Sequence, residues 1–408
     1  MADLVEEATA RPESRPLLEP LGEIPSIKGL ALQLTSLPES GDRGDINPLE
    51  WPLFAEQDCD ELYIPTPNML RAAAAIDRAL RRALGAVEPG SVRCNASLYS
   101  VDAEGEVRKT PELGLMITGA SGVGKSATVS RALSRYPQIF RHEALEGFKG
   151  PVDQVVWLYA QVPPKGNLKE LARTLIREAA DAVGDSGLVQ RLTKGAANDP
   201  SEQLSRWQRW ARGRFLGLLV LDEAQNLFRV APTADRKRCG KSRVRVSEDL
   251  ALKEVLSLFN RSGIALALIG TPDLRNALQY RMSVSQRLMR GGFFDLERFK
   301  TATDERFAKK LVPELAKIQY GPGGLQSSAE LCKVIHRYTA GIHRLIAELW
   351  VHAHNVAAEH STSPTLTMDD IHTAANRYMA PLLKITAAIN DGTPGALDAF
   401  EDQISGGA

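Results

Sequence analysis

The chain has 408 residues, 43% of them hydrophobic, enough for two or three domains with a sizeable core. Its 50 basic and 50 acidic residues cancel. No apolar run reaches membrane-spanning length and the first residues are acidic, so the reading is a soluble cytoplasmic protein with no membrane partner and no signal peptide. Cys59, Cys94, Cys239 and Cys332 are far apart with no C-x-x-C or Cys/His cluster, which argues against a zinc site and a disulfide framework.

Charge is unevenly placed. Residues 1–62 hold fourteen acidic and four basic side chains, a balance of −10 against +10 for the remainder. A basic body of this kind can meet polyanions, and the bland alternative is a solvated acidic tail. Residues 1–65 also hold eight of the 23 prolines and only short apolar pieces, at Leu17, Ile46 and Leu49 to Phe54. They read as an extended arm that docks in pieces, on its own body or on a partner. Pro67 opens a helix that runs to about Leu84, and residues 97–109 alternate around Asp102 and Gly105 as a hairpin.

An apolar strand ending at Ile117 then enters Gly119-Ala120-Ser121-Gly122-Val123-Gly124-Lys125-Ser126, a full match to G-x-x-x-x-G-K-[ST], and a helix follows. Glycines let successive backbone N–H groups turn inward onto phosphate oxygens, and the helix N-terminus adds partial positive charge. Lys125 suits the β and γ phosphates and the Ser126 hydroxyl suits Mg²⁺, with Ala127 completing the first turn of the site. The expected ligands are ATP and Mg²⁺.

Residues 152–162 form the next predicted strand, broken by Pro163, Pro164, Lys165 and Gly166. Asn167 caps a predicted helix over 168–183, residues 184–199 read as a loop with one short helical turn, and Ser201 caps a helix to Arg212 in which Trp207 and Trp210 are core. Phe215 to Leu221 is all apolar, as in a parallel strand buried on both faces, and ends in Asp222-Glu223-Ala224-Gln225-Asn226. Two acids at that place, roughly 100 residues after a phosphate loop, suit Asp222 as a Mg²⁺ holder and Glu223 as general base. The stretch 235–245 then carries six basic residues and one acidic. A helix starts at Ser247, and a strand over 264–269 ends in Gly270, Thr271 and Pro272. Arg287 and Arg290 precede a short apolar piece at 293–299. From Thr301 only helices are predicted, over 304–317, 327–339, 342–360 and 368–390, before a flexible tail at 391–408. The domain reading is therefore an arm at 1–65, a base domain at 66–300, a helical domain at 301–390 and the tail.

This order of elements resembles an AAA+ ATPase: an α/β P-loop NTPase core, a parallel sheet flanked by helices, with a C-terminal helical lid and here an extended N-terminal arm. The resemblance implies that Thr271 is the polar sensor at the end of the fourth strand. It implies an arginine finger that reaches a neighbour's nucleotide, Arg290 in preference to Arg287, and a lid arginine, Arg344, that senses the γ phosphate. Within AAA+, residues 66–385 look like the TnsC/TniB transposition regulators. The carrying residues are Ile117 to Ser126, Pro163-Pro164 with a basic helix start, Leu221 to Leu227 and Leu268-Ile269-Gly270-Thr271-Pro272 with its trailing arginines. Such proteins assemble as ATP-dependent rings or helical filaments on duplex DNA and link a target selector, TniQ-like, to transposase subunits. The alternatives are an ExeA-like secretion ATPase, which should carry a membrane or peptidoglycan-binding segment, and an Orc/Cdc6-like loader, which should carry a winged helix. In a ring of this kind two basic surfaces face the channel: Lys165 with Lys169, and Arg236, Lys237, Arg238, Lys241, Arg243 and Arg245. Neither has interleaved aromatics, so backbone contact without base readout is expected.

Overall fold

The computed structural model describes residues 15–39, 46–91, 94, 114–164, 167–196, 199–227, 263–279, 290–321, 323–359 and 365–405. The expected hairpin at 97–109, the basic stretch 235–245 and the helix from Ser247 lie outside these. The chain divides into two compact units. One comprises Met1–Pro25, Ala72–Ile117 and Val129–Phe293; the other comprises Ser26–Arg71, Thr118–Thr128 and Phe294–Ala408.

Helices α1 (Ile27–Leu34), α2 (Trp51–Glu61) and α3 (Pro67–Gly85) precede β1 (Gly114–Gly119) and α4 (Lys125–Leu133). Then come β2 (Ile139–His142), β3 (Val152–Val155), β4 (Trp157–Gln161), α5 (Leu168–Val183), α6 (Gly187–Thr193), α7 (Pro200–Gly213) and β5 (Leu218–Asp222). After β6 (Ala265–Gly270) and α8 (Pro272–Gln279), β7 (Gly292–Leu296) closes the five-stranded parallel sheet, whose order is β4-β5-β6-β1-β7. Non-sequential neighbours in a sheet require crossovers, and the crossing helices bury both faces. That is why β1, β5 and β6 are buried along their whole length and read as apolar runs, interrupted only by Thr118 and by Asp222 at the end of β5.

In the first unit the core gathers Leu158, Ala160, Leu219 and Leu221 of the sheet with Leu171, Leu175 and Ile176 of α5 and Leu204 and Trp207 of α7. Trp207 is fully buried and Trp210 packs at its edge, so the tryptophan pair is core, as expected. Part of the arm docks here. Leu17 and Leu21 are buried, Gln154 donates to the Leu17 carbonyl at 3.1 Å, and Arg81, paired with Asp77, donates to the carbonyls of Leu21, Gly22 and Glu23.

The single strand expected over 152–162 is two. β3 pairs antiparallel with β2, while β4 pairs parallel with β5. Between them Val156 donates to Gln138 and accepts from Gly217 and Leu218, so the chain changes sheets there. Asp199, not Ser201, caps α7: its carboxylate accepts from the Glu202 N–H at 3.0 Å, and Pro200 takes the first helical position, which needs no donor.

The second unit is helical apart from the ends of β1 and β7. A π turn (Phe307–Leu311) and α9 (Val312–Leu315) lead to α10 (Ala329–Thr339), α11 (His343–Ala358), α12 (Met368–Tyr378), α13 (Ala380–Asn390) and α14 (Ala396–Ser405). The helix expected over 368–390 breaks at Met379, because Pro381 has no N–H to continue the ladder. Residues 396–405, expected as tail, form α14, and Phe400 is 1% exposed within the lid core. Helix α2 of the arm enters the same core through Trp51, Ala55 and Cys59. Tyr320 donates to Asp58 at 2.6 Å, and its ring lies 6.3 Å from that of Trp51. The described part of the arm thus docks on its own body. Among the described residues, no helix is long and apolar enough to cross a membrane.

Candidate active site

The phosphate loop belongs to the second unit. It leaves the buried β1 at Gly119, turns through a weak Val123 N–H to Ala120 carbonyl contact of 3.4 Å, and enters α4 at Lys125. Val123 is fully buried and anchors the turn. Gly122 has φ +77°, and a Cβ there would lie 2.8 Å from Cβ of Arg344, so both backbone conformation and space demand glycine. The Lys125 side chain is 8% exposed and folds over its own loop, with Nζ donating to the carbonyls of Gly119 at 2.8 Å and Ala120 at 3.0 Å. Ser126 and Ala127 lie exposed on the first turn of α4. One turn on, Thr128 is fixed by donation to Gly124 at 2.7 Å and acceptance from Tyr63 at 2.9 Å.

The lid meets this loop directly. The Arg344 backbone N–H, second in α11, donates to the Gly122 carbonyl at 3.0 Å. Its side chain is 58% exposed, and Nε pairs with Glu348 at 2.9 Å. From α14 the Glu401 carboxylate accepts a hydrogen bond from the Ser121 N–H of the loop. Beside Arg344, His343 is half-buried against Phe299 with both ring nitrogens out of solvent, and burial holds its pKa down to about 4, so the ring is neutral at pH 7.

The acids belong to the first unit. Asp222 ends β5 and is 5% exposed. Its Oδ1 accepts from the Glu223 N–H at 2.7 Å, and Oδ2 accepts from the Tyr159 hydroxyl. Tyr159 stands opposite Val220 in the β4–β5 register, two residues before Asp222, hence on the same face of the sheet. Glu223 has φ +53°, a left-handed conformation that costs a non-glycine residue about 1–3 kcal/mol. The Ala224–Leu227 turn follows, with Ala224 and Leu227 buried and the Asn226 amide donating to the Val162 carbonyl at 3.0 Å. Gln225 donates to the Glu223 carboxylate and accepts from the Thr271 backbone N–H at 3.2 Å.

Of the other expected residues, Arg290 is exposed in the turn before β7, and Lys169 is half-buried as the second residue of α5. Arg287, Lys165, Arg236, Lys237, Arg238, Lys241, Arg243 and Arg245 lie outside the described residues. Sequence reasoning gave no role to Tyr159, Gln225 or Glu401. Gln225 stands inside the acidic motif and Tyr159 is a polar-tipped residue of the strand paired with the one that ends in Asp222, so both left a signal. Glu401 left none.

Residues 108–278 match a family model described as an AAA domain. The fold is an AAA+ P-loop core with a helical lid. Among solved structures, the chain is similar to the Drosophila ORC in a structure bound to DNA, at 14% identity and a TM-score of 0.37, covering 77% of this chain and 68% of that one. It is also similar to a RuvB variant from Thermotoga maritima, at 12% identity and a TM-score of 0.34, covering 77% of this chain and 82% of that one. Both likenesses are remote and neither bears on function. No curated protein matches the chain.

Proposed function

We propose that this protein is a Mg²⁺-dependent ATPase that acts as a DNA-bound switch in transposition. The carrying observation is the phosphate loop itself, a complete motif whose central glycine is met by the backbone of lid residue Arg344. A lid that touches the loop through its own main chain can respond to what the loop holds. Gly119 to Ala127 hold the phosphates, Lys125 supplies the cation that anchors them, and Arg344 leaves Glu348 for the γ phosphate. Glu223 takes the proton from the attacking water, and Thr271 orients that water.

Ser126 and Asp222 would hold Mg²⁺. A hydroxyl and a buried carboxylate are hard oxygen donors, and Mg²⁺ needs only one or two protein ligands beside phosphate and water. The fit does not need a cage, and among the described residues no group of three or more His, Cys, Asp or Glu side chains could form one. Bound there, the ion would neutralise charge on the transferred phosphoryl group.

Arg290, or Arg287, completes the site of a neighbouring copy, so that ATP drives a ring or filament on duplex DNA and hydrolysis takes it apart. The basic balance of the body and the clusters at Lys165, Lys169 and 236–245 supply the phosphate contacts. The assembled form couples a TniQ-like selector to the transposase. ATP turnover with and without duplex DNA tests the reading. DNA should stimulate turnover, and binding should be insensitive to sequence and fall steeply with salt, with a log–log slope of about −0.9 per phosphate neutralised. Glutamine at Lys165, Lys169 and the 236–245 basic positions should flatten that slope. An unchanged slope contradicts the channel reading. Arg290→Ala should bind ATP but neither assemble nor hydrolyse it, and activity should return in mixtures with Lys125→Ala. No recovery at any ratio means a site served by one copy alone.

A further inference from the structure

We infer that Gln225 is a positioning residue for the general base, tying the Glu223 carboxylate to the end of β6. The inference rests on the reading of Glu223 as general base.

The side-chain amide of Gln225 is used at both ends. Its Nε2 donates to Oε2 of Glu223, and its Oε1 accepts the Thr271 N–H at 3.2 Å. The chemistry of the partners fixes this orientation. A flipped amide would set its oxygen against a carboxylate and its NH₂ against an N–H, two repulsive contacts in place of two bonds. The turn that carries Gln225 is itself fixed. Ala224 and Leu227 are buried, Asn226 N–H donates to the Glu223 carbonyl at 2.9 Å, and the Asn226 amide holds the Val162 carbonyl.

The end of β6 is shaped to admit the amide. A Cβ on Gly270 would lie 2.5 Å from Oε1 of Gln225, so any side chain at that position would displace it. Glu223 has left-handed backbone geometry, with φ +53°, and needs support to keep one orientation. The Gln225 amide supplies it by engaging Oε2, which leaves Oε1 to be presented as base. Because the same amide holds the backbone N–H of the sensor residue Thr271, a shift at the end of β6 reaches the base through one side chain.

Gln225→Leu keeps the volume and removes both bonds. With the full chain, it should lower kcat for ATP by about 10- to 100-fold, the scale on which small misplacements of a catalytic group act, while the Kd for ATP stays within about threefold. The Glu223→Gln/Gln225→Leu double variant should be no slower than Glu223→Gln alone, since Gln225 acts only through Glu223. A merely structural role would multiply the two losses. Without nucleotide, hydrogen exchange at Thr271 should accelerate in Gln225→Leu because its acceptor is gone. If Gln225→Leu does not fold, Gly270→Ala asks the same question from β6 and should show the same kcat-specific loss, again absorbed by Glu223→Gln. Wild-type kcat in the folded variant, multiplicative losses, or unchanged exchange at Thr271 would each overturn the positioning role. A Glu223→Gln variant that hydrolyses ATP at the wild-type rate would overturn the general-base reading beneath it. A slow Glu223→Gln beside a fully active Gln225→Leu overturns the positioning role alone.

Discussion

At the phosphate loop the working groups are backbone N–H donors and one lysine; at the end of β5 they are two carboxylates. Each is held by its chemical opposite from elsewhere in the same unit. The Ser121 N–H meets the Glu401 carboxylate, and Lys125 meets loop carbonyls. Asp222 and Glu223 meet a hydroxyl and an amide, Tyr159 and Gln225. The loop thus uses an anion as its internal partner, which on the proposed reading would compete with phosphate. The acids use neutral donors, which fix a carboxylate without cancelling its charge. On that reading, one end would exchange partners and the other would keep its geometry.

Four changes probe that contrast, and the largest effect falls on the acids. Glu223→Gln should leave ATP affinity near wild type and slow hydrolysis by about 10²- to 10⁴-fold, measured by single-turnover assay, and it should trap the assembled form. Equal losses of binding and rate would mean that Glu223 shapes the site rather than acting as base.

The next effect belongs to the loop-and-lid unit. Burial holds both His343 and His354 near pKa 4, below the unfolded value of 6.5. Between those values the unfolded chain binds more protons than the folded one, so stability falls as pH drops from about 6.5 to about 4. The slope is about 1.4 kcal/mol per pH unit for each histidine. Denaturant melts over that range, with His343→Phe and His354→Phe as controls, should show it. A flat profile would mean that the rings titrate normally in the folded protein.

Tyr159→Phe removes one donor from Asp222 and keeps the ring. A loss of about tenfold in kcat is expected, with ATP binding weakened less than in any change to the loop. Wild-type turnover would show that Asp222 is sufficiently held without the Tyr159 hydroxyl. The smallest effect runs in the opposite direction. Glu401→Ala frees the Ser121 N–H and should tighten ATP binding about fivefold, the equivalent of about 1 kcal/mol. Weaker binding would identify Glu401 as a support of the loop and not a competitor.

The parts legible in the sequence are those in which local pattern and tertiary role coincide. The apolar runs within 114–117, 218–221 and 265–270 are strands because only crossover helices can cover both faces. Asn167 caps α5 as its side-chain chemistry demands. The parts that were not legible depend on distant partners. Nothing in residues 391–408 marks Phe400 as lid core or Glu401 as a partner of the loop, because the groups they meet lie far away in the chain. The split at Val156 depends on Gln138 and Gly217 pulling its two backbone groups to different sheets. Gln225 was visible in its motif, but its role needed Thr271 and the bare Cα of Gly270 to be seen beside it.

The central claim is that residues 119–127 form a nucleotide-phosphate site, and calorimetric titration of ATP with Mg²⁺ into the full chain tests it most directly. One saturable site is expected in the wild type and none measurable in Lys125→Ala, with both proteins equally folded by circular dichroism. ATP binding of equal affinity in the wild type and Lys125→Ala would contradict it.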